Sequence, residues 1–92
     1  MDVHFNEEID MEKIGEETVL LFPNGDYGLL NETASYVVDM LLAGACTADI
    51  ALGVSTEWGI SLMRAQEDVS DCVSALSNTG VIKSFDYDGS QL

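Results

Sequence analysis

One stretch, residues 18–42, constrains this chain more than any other: TVLLFPNGDYGLLNETASYVVDMLL. It holds two apolar runs of strand length, VLLF and YGLL, separated by Pro23, Asn24, Gly25 and Asp26. Asn-Gly is a strong short-range hairpin signal, because a type I′ turn needs positive φ at both central residues. A two-residue turn at Asn24-Gly25 sets Phe22 opposite Tyr27, Leu20 opposite Leu29 and Val19 opposite Leu30. That register puts Phe22, Tyr27, Leu20 and Leu29 on one face, and Val19, Leu21, Gly28 and Leu30 on the other. The period then changes from strand to helix. Ala34, Val37, Val38, Leu41 and Leu42 fall at i, i+3, i+4, i+7 and i+8, one stripe of an amphipathic helix. Asn31 is the expected N-cap, and Glu32 puts negative charge in the positive first turn.

Around this unit the other elements can be placed in order. Residues 9–14 alternate weakly among acidic neighbours and predict a first strand, so that residues 18–22 lie central and residues 26–30 form an edge. The first helix should stop near Gly44, a suitable C′ residue. Thr47 is expected to cap a second helix with Ile50, Ala51 and Val54 facing inward. Gly53 predicts that this helix is short, since mid-helix glycine weakens it. Residues 55–60 are then a connector, and Trp58 a plug at the core's edge. Leu62, Ala65, Val69, Cys72, Val73 and Leu76 recur at helical spacing and predict a third helix over residues 61–77. Gly80 ends it, Val81 and Ile82 form a wing-like extended segment, and residues 86–92 read as a frayed tail. The predicted class is α+β and winged-helix-like: an N-terminal three-stranded antiparallel sheet, then a three-helix bundle. The chain of 92 residues is one domain, with its core at about 9–83 and flexible flanks at 1–8 and 86–92.

Charge narrows the partners. Seventeen acidic residues against Lys13, Arg64 and Lys83 give a formal charge of −14. Such a surface repels phosphate backbones, which argues against nucleic acid, and favours a basic peptide or a basic protein patch. No run reaches the ~18 apolar residues of a membrane span, and the acidic N-terminus is unlike a secretory signal. A cytoplasmic protein is the expectation. The third helix displays Arg64, Glu67, Asp68 and Asp71 on its outer side. Arg64 and Asp68 form an i,i+4 pair, whereas Glu67 and Asp71 are like charges at that spacing. A solvated face and a contact for a basic partner both explain this pattern.

The residues offer little for catalysis or cofactors. No nucleotide, zinc or nucleophile-elbow motif occurs. Asp86-x-Asp88-Gly89 resembles the start of a calcium loop, but its glycine falls two positions early and the chain lacks the closing Glu. His4 has no companion ligand. Cys46 and Cys72 lack metal spacing and are expected to be free packing thiols. The expectation is a protein that is not an enzyme and binds no cofactor or metal. The edge strand, by contrast, is apolar on both faces, yet a small sheet buries only one face. Tyr27, Gly28, Leu29 and Leu30 therefore need a cover, which a bound peptide, neighbouring chain or a second copy in a homodimer would supply.

Several of these residues stand in a known order. Val19-Leu20-Leu21-Phe22-Pro23, Leu30-Asn31-Glu32-Thr33-Ala34, Gly44, Thr47 and Ile50, then Val69, Leu76 and Gly80-Val81-Ile82 resemble the pattern of the PqqD family of peptide chaperones, also called RiPP recognition elements. The resemblance spans residues 14–82. It departs at Ala43, where the family often has an acid, and in the turn at residues 24–26, less charged than in the cofactor-biosynthesis members. The resemblance implies a module that holds the leader segment of a ribosomally made precursor peptide as an added strand beside the third helix. It also implies presentation to a modifying enzyme such as a radical-SAM protein, a cyclodehydratase or a leader peptidase. Side chains of the peptide would then reach Cys72 or Ala75. The competing classes are a winged-helix transcriptional regulator, which the acidic third helix disfavours, and a docking subunit that binds no peptide.

Overall fold

A computed structural model describes residues 2–86. The order is β1 (Asp2–Phe5), β2 (Asp10–Ile14), β3 (Glu17–Leu21), β4 (Tyr27–Leu30), α1 (Glu32–Leu42), α2 (Thr47–Trp58), α3 (Leu62–Asn78) and β5 (Ile82–Asp86). Strands β2, β3 and β4 form an antiparallel meander with β3 in the centre, as the sequence predicts. Asp86, expected to begin the frayed tail, is the last residue of β5; the rest of that tail and most of the calcium-like motif, residues 87–92, lie outside the described residues.

The hairpin register differs from expectation by one residue. Thr18 faces Leu30, Val19 faces Leu29, Leu20 faces Gly28 and Leu21 faces Tyr27. The cause is Pro23. Its fixed φ suits the second position of a type I turn, and the Gly25 amide donates to the Phe22 carbonyl at 3.0 Å to close that turn. Gly25 follows at φ +94°, making a three-residue loop with a glycine bulge in place of the two-residue turn. Asn24 caps the loop instead of adopting positive φ: its Oδ1 accepts from the Asp26 amide at 3.0 Å. A slip of one residue exchanges faces. Thr18 and Leu20 are buried with Gly28 and Leu30 beside them. Val19, Leu21, Tyr27 and Leu29 share the outer face, so Tyr27 and Leu29 leave the face predicted for them.

The inner face lies against the helices. Val37, Val38 and Leu41 of α1, Ile50, Ala51 and Val54 of α2, and Ala65, Val69, Val73 and Leu76 of α3 form the core with Leu20 and Ile9. Leu42 and Leu62, the ends of the predicted stripes, are exposed. Asn31 caps α1 as expected, accepting from the Ala34 amide at 2.8 Å. Three polar links fasten the sheet to α1. Thr18 Oγ1 donates to Ser35 Oγ at 2.9 Å, and Ser35 Oγ donates to the Leu30 carbonyl at 3.2 Å. Lys13 Nζ pairs with Asp39 Oδ2 at 2.9 Å.

Helix α2 departs from its prediction at both ends. Cys46, with no side-chain cap bond, is the N-cap, and Thr47 is the first helical residue. The helix also runs through Gly53 to Trp58, so residues 55–58 are helical instead of a connector. Gly53 is there for packing: a Cβ at this position would collide with the Tyr36 hydroxyl. Tyr36 in turn meets Trp58 edge-on, with ring centroids 5.5 Å apart. Close approach to α1 offsets the helix penalty of glycine.

Helix α3 starts at the Ser61 cap, whose hydroxyl accepts from the Arg64 amide at 3.1 Å. It ends in a Schellman motif: the Val81 amide donates to the Leu76 carbonyl at 3.0 Å, with Gly80 at φ +84°. That turn drives Val81 and Ile82 into the core. The chain then continues as β5, antiparallel to β1 in a separate two-stranded sheet. Residues 2–5, expected to belong to a flexible flank, thus form a strand.

Candidate functional site

Strand β4 is an edge of its sheet, and its main-chain groups sort by register. Phe22 donates its amide to the Asp26 carbonyl at 2.9 Å, and opposed pairs alternate between bonded and non-bonded along an antiparallel ladder. Leu20–Gly28 and Thr18–Leu30 are therefore bonded pairs. Tyr27 and Leu29 turn their N–H and C=O groups to the free edge.

Beneath this edge runs a groove of about 710 Å³ between β4 and α3. Leu20, Phe22, Gly28 and Leu30 line its sheet side, and Cys72, Ala75 and Leu76 its helix side. The groove is open at Gly28 because no side chain stands there. A Cβ would lie 3.6 Å from Phe22 Cε2 and 3.9 Å from Leu20 Cδ1, ordinary contact distances. Asp68 and Asp71 stand on the helix side, and Asn31, Thr33 and Ala34 close one end from the start of α1. The surface is thus apolar along its floor with carboxylates on one wall, beside an unpaired ladder. Such a surface can take an extended peptide through main-chain bonds and alternate side chains.

Gly28, Leu29, Leu30, Asp68, Asp71, Cys72 and Ala75 all border this groove. Leu29 does so at the edge while its side chain, paired with Val19, projects from the outer face. Tyr27 instead belongs to a shallow concavity at the hairpin tip with Phe22, Asn24 and Asp26. Arg64 and Glu67 do not line the groove. Arg64 Nε lies 3.5 Å from Asp68 Oδ1, so one of the groove's carboxylates already has a cation beside it. Burial pushes the Cys72 thiol up by desolvation, which keeps it neutral and apolar at neutral pH. Sequence reasoning missed Phe22, Thr33 and Leu76 as groove residues. The register slip leaves Phe22 on the face of Leu20 but sets Gly28 beside it in place of a side chain, and Thr33 sits on the first turn of α1, where the stripe pattern assigns no partner.

No histidine, cysteine and carboxylate group of three or more is arranged to hold a metal among the described residues. No helix among them is long and apolar enough to cross a membrane.

Among the described residues, these features define an α+β domain with three helices under a meander whose last strand is paired on one side and free on the other. The sequence pattern of the family described as coenzyme PQQ synthesis protein D (PqqD) matches residues 17–82, and the chain belongs to that family. No match is found among curated proteins. Two solved structures share the fold nearly throughout. One is a lasso peptide synthetase B1 complexed with the leader peptide, 29% identical with a TM-score of 0.82, covering 89% of this chain and 98% of its own. The other is TbiB1 in complex with the TbiA(beta) leader peptide, 21% identical with a TM-score of 0.80, covering 91% and 99%.

Proposed function

We propose that this chain is a leader-peptide recognition module. It binds the leader segment of a ribosomally synthesised precursor as an added strand on β4 and presents it to a modifying enzyme, without catalysing the modification itself. The observation that carries this reading is the free ladder of Tyr27 and Leu29 above the β4–α3 groove. Its support from outside is membership of the PqqD family together with the shared fold of two proteins solved with leader peptides. Side chains at alternate peptide positions enter between Gly28 and Cys72, and Asp68 and Asp71 favour a basic residue on the peptide's helix-facing side. Glu67, outside the groove, adds to the field that draws such a peptide in, while Arg64 holds Asp68 in place.

Calorimetric titration of the chain with the leader and, separately, with the leader-less remainder of its precursor tests this. Saturable one-to-one binding of the leader and none of the remainder is expected. Equal binding of both, or of neither, contradicts the reading.

A further inference from the structure

The outer face of the β2–β3–β4 sheet breaks the pattern of a solvated sheet. Antiparallel sheets with one face in water alternate apolar inward and polar outward. Strand β2 obeys over its first three residues, with Met11 partly buried in the core and Asp10 and Glu12 exposed; Ile14 at its end is apolar and exposed, opposite Glu17. Strands β3 and β4 do not. Past Glu17, their outward positions are Val19, Leu21, Tyr27 and Leu29, joined as the opposed pairs Val19–Leu29 and Leu21–Tyr27. Tyr27 is 77% exposed, Leu29 60% and Leu21 41%. Opposed side chains on one face touch, so these four make one apolar block with a tyrosine at its corner, a residue type enriched at binding hot spots. Acids border it on the β2 side: Asp10 opposes Leu21 and Glu12 opposes Val19, and Glu17 follows on β3.

We propose that this face docks the precursor-processing enzyme, through an apolar patch of that enzyme bordered by lysine or arginine. The inference rests on the leader-binding reading for its partner, but concerns the opposite face of the sheet, which meets the groove only at Leu29. Two features choose the occupant. A second copy stacked on this face would set two chains of formal charge −14 against each other, with Asp10, Glu12 and Glu17 at the rim, which opposes self-association. A basic rim meets the same acids favourably. The block is also continuous with the leader edge, since β4 turns Gly28 and Leu30 toward the groove and Tyr27 and Leu29 outward. An enzyme seated here lies against the strand that carries the leader, close to the substrate it must process.

The test uses variants on β3 and β2, outside the leader-binding residues: Val19→Thr with Leu21→Thr, and Asp10→Asn with Glu12→Gln. Threonine keeps strand propensity, and the acid variants serve if the first pair does not fold. The probes are the leader peptide and, separately without leader, the purified processing enzyme encoded beside the precursor. V19T/L21T should bind leader within about twofold of the parent and enzyme at least about tenfold more weakly. D10N/E12Q should flatten the salt dependence of enzyme binding. Unchanged enzyme binding in both variants overturns the proposal. So does a parent chain that binds no enzyme, or one that sedimentation shows to be a dimer dissolved by V19T/L21T. Loss of leader binding in the parent contradicts the leader reading alone, because the enzyme titration is read without leader.

Discussion

Thr18 and Ser35 are joined inside the protein by a hydrogen bond of 2.9 Å, and both side chains are buried. Ser35 passes the interaction on to the Leu30 carbonyl, so one short relay fixes β3, the end of β4 and the start of α1. It sets the edge strand's position over α3. Replacing Ser35 by Ala leaves the Thr18 hydroxyl without its acceptor and the Leu30 carbonyl without this donor. The expected cost is about 1–3 kcal/mol. Thr18→Val with Ser35→Ala should cost less than the sum of the single changes, since neither hydroxyl is then stranded. Urea unfolding of the three variants measures it, and strict additivity would contradict the relay.

Gly53 and Tyr36 make a second prediction, in which the sign of one substitution depends on another residue. Gly53→Ala removes the helix penalty of glycine, about 1 kcal/mol, but places a methyl against the Tyr36 hydroxyl. In the parent the collision should win and the variant should be destabilised. In a Tyr36→Ala background Gly53→Ala should stabilise. Thermal unfolding of the four proteins gives the cycle, and a gain from Gly53→Ala in the parent would show that Tyr36 does not explain the glycine.

Much of the fold is legible in the sequence because local and tertiary signals agree. Asn31, Gly44 and Gly80 act where their chemistry predicts, and the α3 stripe buries Ala65, Val69, Val73 and Leu76. The failures occur where one signal hides a stronger one. Asn-Gly suggests a two-residue turn, but Pro23 ahead of it favours a type I turn and shifts the register. That shift moves the Leu29 side chain from the inner face to the outer one, so that Leu29 meets the groove only at the edge. Gly53 reads as a weak point until Tyr36, on another helix, is seen to need the space. The pairing of β1 with β5 joins opposite ends of the chain, and no local pattern carries that information. Within the groove, Cys72 is legible from helical spacing and Ala75 from the resemblance that sets a peptide beside the third helix, whereas Phe22 and Thr33 depend on the true register and on how α1 docks.

Cys72 offers a direct view of the groove. Its thiol pKa is raised by burial, and alkylation requires the thiolate. Its alkylation rate should rise with pH along a curve displaced upward from that of an ordinary exposed thiol. The same shift makes folding stability depend on pH. The unfolded chain's thiol loses its proton first as pH rises, so stability is full below the unfolded thiol's pKa and declines through the window up to the raised folded value. Saturating leader should slow alkylation of Cys72 while leaving Cys46, which does not line the groove, unchanged. Mass spectrometry of a timed alkylation at several pH values reads both effects, and equal protection of both cysteines would argue for a global change in place of groove occupancy.

Charge should act chiefly on the rate of association. Leader binding should weaken as ionic strength rises, and replacing Glu67, Asp68 and Asp71 together by Gln and Asn should remove most of that slope. Stopped-flow association at several salt concentrations checks it. An unchanged slope in the triple variant would remove the acidic wall from the account and leave main-chain pairing standing.

The main chain of β4 carries the central claim, and proline reads it directly. Leu29 points its N–H to the free edge, so Leu29→Pro removes a donor the fold does not use. Gly28 points its N–H to β3, so Gly28→Pro should instead destabilise the sheet. Leu29→Ala separates the loss of the side chain from the loss of the donor. Leader titration of Leu29→Pro, beside its circular dichroism spectrum, is the decisive measurement. Strand addition predicts a folded protein whose leader affinity falls about tenfold or more, on the order of 1.4 kcal/mol, while Leu29→Ala binds nearly as the parent does. A folded Leu29→Pro variant that binds leader with undiminished affinity would contradict strand addition at this edge.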